Sequence, residues 1–292
     1  MRFLAWTGGA FAPLVAAALA PACGGSAFQT GGATADAGTL EAAATDTGAP
    51  IEAGAEAGTS YCATTPMPHT FCEDFDEYPS VQALVGGTAT WSPVFTMNGS
   101  FQFDTVMPPS APNALEAVGD DAAQVILVKS FARTGALKNA RLAFDLRIDS
   151  PGAPGLLSAA GFAAIAFGSS LDAGYVAVAI VDGPQLAVLA VPGTSTGAPL
   201  DAGLPKPALA GSLPALGQWA GTYTIEVDYS VTPAGCAQLY AGAKPLLDPC
   251  MALPSSFVDP KVVSVAVGDV AGGAGKTGSI AVEFDDLTFD LK

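Results

Sequence analysis

The residues best suited to chemistry in this 292-residue chain are carboxylates, tryptophans and cysteines. Glu73, Asp74 and Asp76 crowd one short stretch, and Asp285 and Asp286 stand side by side near the other end of the chain. If those stretches meet in space, the five form an oxygen-only ligand set of the kind a hard divalent cation takes. Trp91 and Trp219 are the only tryptophans beyond Trp6, and an exposed indole face is a good platform for a sugar ring. The one histidine, His69, has no partner at zinc-ligand spacing, and no CxxC occurs. Gly272 to Thr277 reads GGAGKT, like the end of a phosphate-binding loop, but Val270 stands where the first Gly is needed and a strand pattern follows where a helix is required. A hairpin turn is the expectation there.

The five cysteines bear on location. Arg2, an apolar run from Phe3 through Leu19 and the small residues Ala20, Pro21 and Ala22 precede Cys23, the layout of an export signal. The string LAPACGG resembles the lipobox of bacterial lipoproteins, which makes Cys23 the expected lipidation site, with ordinary secretion as the alternative. Gly24 follows where lipoproteins kept at the inner membrane carry Asp, so the resemblance implies the outer membrane or cell surface. Setting Cys23 aside leaves four cysteines, an even number suited to an oxidising compartment. Three pairings are open to them; the local one, Cys62 with Cys72 and Cys236 with Cys250, closes short loops and is the expectation.

The formal charge is -16, and no Lys or Arg occurs between Arg2 and Lys129. Such a surface repels nucleic acid and anionic headgroups, so neutral or cationic partners are expected and any membrane contact is through the lipid alone. Apolar residues make up 50% and charged residues 13%, with 34 Gly and 23 Pro, a mixture that favours short strands joined by turns over salt-bridged helices.

Three segments follow from this: a signal peptide over 1–22, the lipidated Cys with an Ala/Gly/acidic tether over 23–60, and one domain over 61–292. The tether offers few large apolar residues to bury and is expected to be disordered. From Tyr61 onward the pattern alternates, as half-buried strands do. In RLAFDLRID, Leu142, Phe144, Leu146 and Ile148 oppose Arg141, Asp145, Arg147 and Asp149; in TYTIEVDYS, Tyr223, Ile225, Val227 and Tyr229 oppose Thr222, Thr224, Glu226 and Asp228. Further strands are read over 100–106, 124–132, 156–167, 174–181, 185–191, 262–268 and 279–291, with Asp182-Gly183-Pro184 as a hairpin connection. Residues 192–217 lack periodicity and read as a long surface loop. In the last strand the apolar set shifts parity between Phe284 and Leu287, which marks a β-bulge at Asp285-Asp286.

Four stretches resemble the concanavalin A-like lectin/glucanase superfamily, including its LamG-like members: FCEDFDEY its first strand, SAPNAL its early turn and strand, TYTIEVDYSVTPAGCAQLYAGAKPLL a strand-turn-strand, and IAVEFDDLTFDL its final strand. The match runs from Phe71 to Leu291. It implies an all-β, two-sheet antiparallel jelly-roll sandwich and, between the chain ends, a structural calcium ion for which Glu73, Asp74, Asp76, Asp285 and Asp286 are the candidate ligands. Members include glycosidases, lyases, lectins and adhesion modules, so the fold does not name a reaction. Glucanases of the superfamily carry E-x-D-x-E or E-x-D-x-x-E on one strand. Glu226-Val227-Asp228 begins that pattern, but Ser230 and Val231 stand where the third carboxylate belongs, so no catalytic residue is assigned. The expectation is a non-catalytic surface lipoprotein that binds a neutral polysaccharide or other glycan, with Trp91 and Trp219 as ligand-binding residues. A divergent polysaccharide hydrolase or lyase and a structural envelope component are the alternatives.

Overall fold

Alternating apolar and polar residues sort into two layers in the computed structural model, which describes residues 60–65, 68–86, 91–95, 99–106, 108–120, 125–153, 160–181, 185–193, 206–258, 260–272 and 277–292. The signal peptide 1–22, Cys23 and the tether as far as residue 59 lie outside these. The strands of one layer, sheet A, are β1 (Phe71–Glu73), β3 (Gly99–Asp104), β4 (Ala114–Asp120), β6 (Asn139–Ala153), β11 (Trp219–Asp228), β12 (Cys236–Ala241), β13 (Lys244–Pro245), β14 (Met251–Ala252) and β16 (Thr277–Leu291). Those of sheet B are β2 (Ser92–Phe95), β5 (Val125–Ala132), β7 (Ala160–Ala166), β8 (Gly174–Val181), β9 (Gln185–Pro192), β10 (Ala208–Ser212) and β15 (Val262–Gly272). Helix is confined to short pieces among the described residues, α1 (Tyr61–Thr64) and α2 (Val81–Gly86) foremost.

Sheet A runs β13-β12-β11-β6-β16-β4-β3, with β1 also on β16 and β14 also on β12; sheet B runs β10-β9-β8-β7-β15-β5-β2. Every pairing is antiparallel. This is the expected two-sheet sandwich. The first and last strands meet, since Phe71 pairs with Phe289 and Glu73 with Leu287. The predicted hairpin at 182–184 joins paired strands, with Val181 opposite Gln185. Two local expectations need correction. The stretch read as one loop over 192–217 contains β10, whose Ala208 pairs with Val188. GGAGKT does not close a hairpin, because β15 before it belongs to sheet B and β16 after it to sheet A.

The core lies between the sheets. Phe284 and Phe144 from sheet A and Phe162 from sheet B are wholly buried, with ring centroids 5.8 Å and 6.4 Å apart across Phe284. The strands of sheet B are apolar on both faces, so β7, β8 and β9 read as unbroken hydrophobic runs and hide their alternation. Close approach of β15 to β5 requires Gly268: at φ +114° a Cβ would stand 2.0 Å from the Val125 carbonyl oxygen. The predicted bulge is present in β16, where three steps from Asp285 to Thr288 oppose two steps on β6, and Asp286 takes φ +49°. Disulfides join Cys62 to Cys72 and Cys236 to Cys250, the local pairing, which belongs to an extracellular or periplasmic protein.

Because Phe284 bridges both sheets, Phe284→Ala should cost about 3–5 kcal/mol, read from the shift of the urea midpoint at constant slope.

Candidate functional site

Sheet A turns its polar side outward, and the register sets that side in rows. One row crosses five strands: Gln102 faces Glu116, Glu116 faces Glu283, Glu283 faces Arg147 and Arg147 faces Trp219. Residues directly opposite project to the same face, so these five side chains share one surface. Asp149 joins them as the extra residue of a bulge in β6, since Ser150 and Ile148 oppose the consecutive Ala281 and Val282.

Arg147 organises the row. Its Nη1 donates to Asp104 at 2.9 Å and Glu283 at 3.2 Å, and its Nε donates to Asp149 at 3.0 Å. Gln102 donates its amide to Glu116. Oxygens of Glu116, Asp149 and Glu283 lie within 4.8 Å of one another. The Arg147 guanidinium already supplies a counter-charge to two of these three, Asp149 and Glu283. Glu283 is 2% exposed, and burial, then its hydrogen bond with Asp149, pushes its carboxyl well above the usual range against the pull of Arg147. Trp219 is half-buried at the end of the row, and its indole N–H is buried without a partner among the described residues.

The second feature lies where the chain ends meet. Asp74 accepts from the Ser60 hydroxyl and from Cys62 N at 3.1 Å; Asp76 Oδ1 accepts from Asn113 N at 3.0 Å. Asp285, wholly buried, accepts from Ser110 N at 2.9 Å and from the Ser110 hydroxyl at 3.1 Å. Burial, reinforced by Asp286, raises its carboxyl to about 8. Asp286 is raised to about 6, first by burial and then by Asp145, Asp74 and Asp76. Asp76 Oδ2 and Asp286 Oδ1 are buried with no hydrogen bond. A cleft of about 270 Å³ has Ser60, Glu73, Asp74, Asp76 and Glu77 in its lining, but neither Asp285 nor Asp286. The donor set is all oxygen and two of its buried oxygens lack a hydrogen bond, the chemistry a calcium ion takes, but no three of these carboxylates bring oxygens within 4.8 Å of one another.

Two predicted site residues are buried. Glu73 shares the inward side of β1 with Phe71, and its carboxylate accepts from Phe75 N at 3.1 Å, Tyr78 OH at 3.3 Å and Trp91 Nε1 at 3.0 Å. It is a buried carboxylate met by three donors, and it also lines the cleft beside Asp74 and Asp76. Trp91 is 3% exposed and packs edge-on against Phe71, so it is a core residue and offers no platform to a sugar. Glu226 and Asp228 face outward from β11, which ends at Asp228, leaving no strand position for a third carboxylate. Arg147, Asp149, Glu283, Asp104 and Glu116 went unremarked in the sequence as a site. Their outward parity was readable for β6; which strands flank β6 was not.

The row generates a pH dependence. The folded-state carboxyl of Glu283 titrates above its unfolded value of about 4.3, so the unfolded chain binds fewer protons in the window between them and stability falls as pH rises. Melting temperatures from pH 5 to 8, taken in chelator, should fall with pH, and Glu283→Gln should make the slope shallower.

No protein-family model and no curated protein matches this sequence. Solved structures do. An endo-β-1,4-glucuronan lyase from the fungus Trichoderma reesei aligns with TM-score 0.50 and 12% identity over 77% of this chain and 96% of that one. Alginate lyase vAL-1 from Chlorella virus aligns with TM-score 0.48 and 8% identity over 77% and 100%. The carbohydrate binding module CBM66 from Bacillus subtilis aligns with TM-score 0.39 and 9% identity over 69% and 95%. At these identities the likeness speaks to fold alone, the all-β, two-sheet antiparallel sandwich that the sheet order shows directly.

Proposed function

We propose that the outer face of sheet A binds a polysaccharide outside the cytoplasm without cleaving it, on a protein held at the cell surface by a lipid on Cys23. The observation that carries this reading is the row from Gln102 to Trp219. It combines the half-buried aromatic side chain of Trp219 with Gln102, Glu116 and Asp149, which keep solvent-facing surface and can exchange hydrogen bonds with sugar hydroxyls, the mixture a sugar surface calls for. Binding is favoured over turnover because Glu283, the carboxyl raised furthest in the row, is buried and tied to Arg147 and Asp149 rather than offered to a ligand. A polyuronate ligand is not carried over from the glucuronan lyase: Arg147 is outnumbered by Asp104, Asp149 and Glu283, so the row suits a neutral chain. The Cys23 anchor rests on LAPACGG and on the even cysteine count that remains without it.

Trp219→Ala should weaken retention on neutral polysaccharides in affinity electrophoresis at least tenfold while leaving the melting temperature within a degree or two. The same assays should release no new reducing or unsaturated ends. Retention equal to wild type would remove the row from the reading.

The reading includes a structural calcium ion held by Asp74, Asp76 and Asp286 beside β1 and β16, with Asp285 fixing the bulge through Ser110. An ion that binds only the folded state at 100 times its dissociation constant adds about 2.7 kcal/mol. Thermal melts in millimolar calcium and in excess chelator should therefore differ by several degrees, and Asp286→Ala should remove the difference.

A further inference from the structure

We propose that a cleft at the edge of sheet A is a subsite for an amine-bearing sugar unit; this rests on the glycan reading above and narrows its ligand. The cleft is about 580 Å³, within the size range of small-molecule sites, and lies between the ends of β11 and β12 and the segment after β13. Its polar lining is Glu226, Asp228, Tyr240 and Asp248, and its apolar rim is Val231 and Leu246.

The cleft has a built wall. Gln238 on β12 grips Leu247 at two points, donating Nε2 to the Leu247 carbonyl at 2.9 Å and accepting Leu247 N at 3.0 Å. The Cys236–Cys250 disulfide ties the same segment back to the start of β12, and β13 and β14 both pair with that strand. These contacts consume the Gln238 amide. Burial, then the neighbouring Glu226 carboxylate, raises the Tyr240 hydroxyl, and Glu226 accepts from Asn139.

What remains for a ligand is acceptors. Asp228 Oδ1 takes Ser230 N at 2.7 Å and leaves Oδ2 free; Asp248 has no hydrogen bond or ion pair among the described residues. Arg141 stands opposite Glu226 in the sheet and offsets that charge, so Asp228 and Asp248 form the uncompensated pair. No Lys or Arg lines the cleft. An anion is therefore repelled, and a ligand with only hydroxyls leaves two like charges without a counter-ion. An ammonium matches the charge of these carboxylates and can donate a charge-assisted hydrogen bond to either, while Val231 and Leu246 offer the C–H face of the same sugar an apolar rim. Val231 is 59% exposed, ready to be covered. Along β6 the step from Arg141 to Arg147 is roughly 20 Å at 3.3 Å per residue, so one oligosaccharide of several units reaches both the cleft and the Trp219 row.

Titration calorimetry of the full-length protein with a glucosamine tetramer and with an N-acetylglucosamine tetramer tests this. The glucosamine tetramer should bind at least tenfold tighter at low salt, the difference should shrink as salt screens the carboxylates, and in Asp228→Asn and Asp228→Asn/Asp248→Asn the two affinities should converge with melting unchanged. Asn keeps an oxygen for Ser230 N, so the turn after β11 survives the substitution. Equal affinities in the wild type, a preference that persists in the double variant, or spermidine binding as tightly as the tetramer would each overturn the assignment. A wild type that binds both tetramers equally and loses both with Trp219→Ala would overturn the cleft and leave the row standing. A wild type that binds no glycan at all would overturn both.

Discussion

Strand β16 is the member on which the rest of the structure depends, and its one-residue bulge is the constraint that lets it serve. It pairs with β6, β4 and β1 together, so it fixes the middle of sheet A and closes the chain ends on each other. Ile280, Val282 and Phe284 face inward before the bulge and Leu287 and Phe289 after it, all of them wholly buried. Without the extra residue the second set would turn to solvent and Thr288 and Asp290 would turn to the core. Holding Asp286 in the left-handed region at φ +49° costs about 1–3 kcal/mol, against about 1.5–3 kcal/mol gained for each of Leu287 and Phe289. The apolar gain wins, and the carboxylates beside the bulge are carried into buried positions as a consequence.

Those buried carboxylates are met in three ways on the two sides of one sheet. Glu73 is met by three neutral donors, with Lys129 as a nearby positive charge. Glu283 is met by a guanidinium shared with Asp104 and Asp149. A network of that kind adds little net stability, because removing charges from water costs about as much as their attraction returns; its effect is to hold Arg147 and the acids in one arrangement across three strands. At the chain ends the donors are backbone N–H groups and hydroxyls, and two carboxylate oxygens are left over. β1 and the 108–113 turn lie in a stretch with no Lys or Arg, and the cation that does reach β1, Lys129, stands over the Phe71 ring at 4.2 Å.

How much of this was legible in the sequence depends on whether the signal was local. Parity along one strand is local, and it gave the inward and outward residues of β6 and β11 and the bulge in β16. It also held the answer for Glu73, since in Phe71-Cys72-Glu73 the acid lies on the same side as Phe71. Reading the acids there as one cluster by proximity along the chain ignored that alternation. The two tryptophans differ for a non-local reason. Trp91 is buried where a carboxylate 18 residues away receives its N–H, whereas Trp219 is outward because it falls opposite Arg147. Residue type alone separates neither. Likewise GGAGKT has the composition of a hairpin, and only the sheet assignment of its flanking strands reveals a crossing between layers. In sheet B, apolar residues on both faces erase the period-two signal, and β10 sat unseen in a Pro- and Gly-rich stretch.

The absence of basic residues between Arg2 and Lys129 acquires a spatial meaning once the strands are ordered. Strands β1, β3 and β4 all come from that stretch and flank β16 on one side, so their outward charges are acids alone: Asp104 on β3, Glu116 and Asp120 on β4. On the other side β11 adds Glu226 and Asp228. The arginines of the face come from β6, and of these Arg147 is bound by three carboxylates while Arg141 lies across from Glu226. A polyanion approaching the sheet therefore meets no free guanidinium in the row and a negative potential on either flank. On the glycan reading proposed above, selection against uronates and phosphates would follow from which strands the chain places beside β16, before any single contact to a ligand is made.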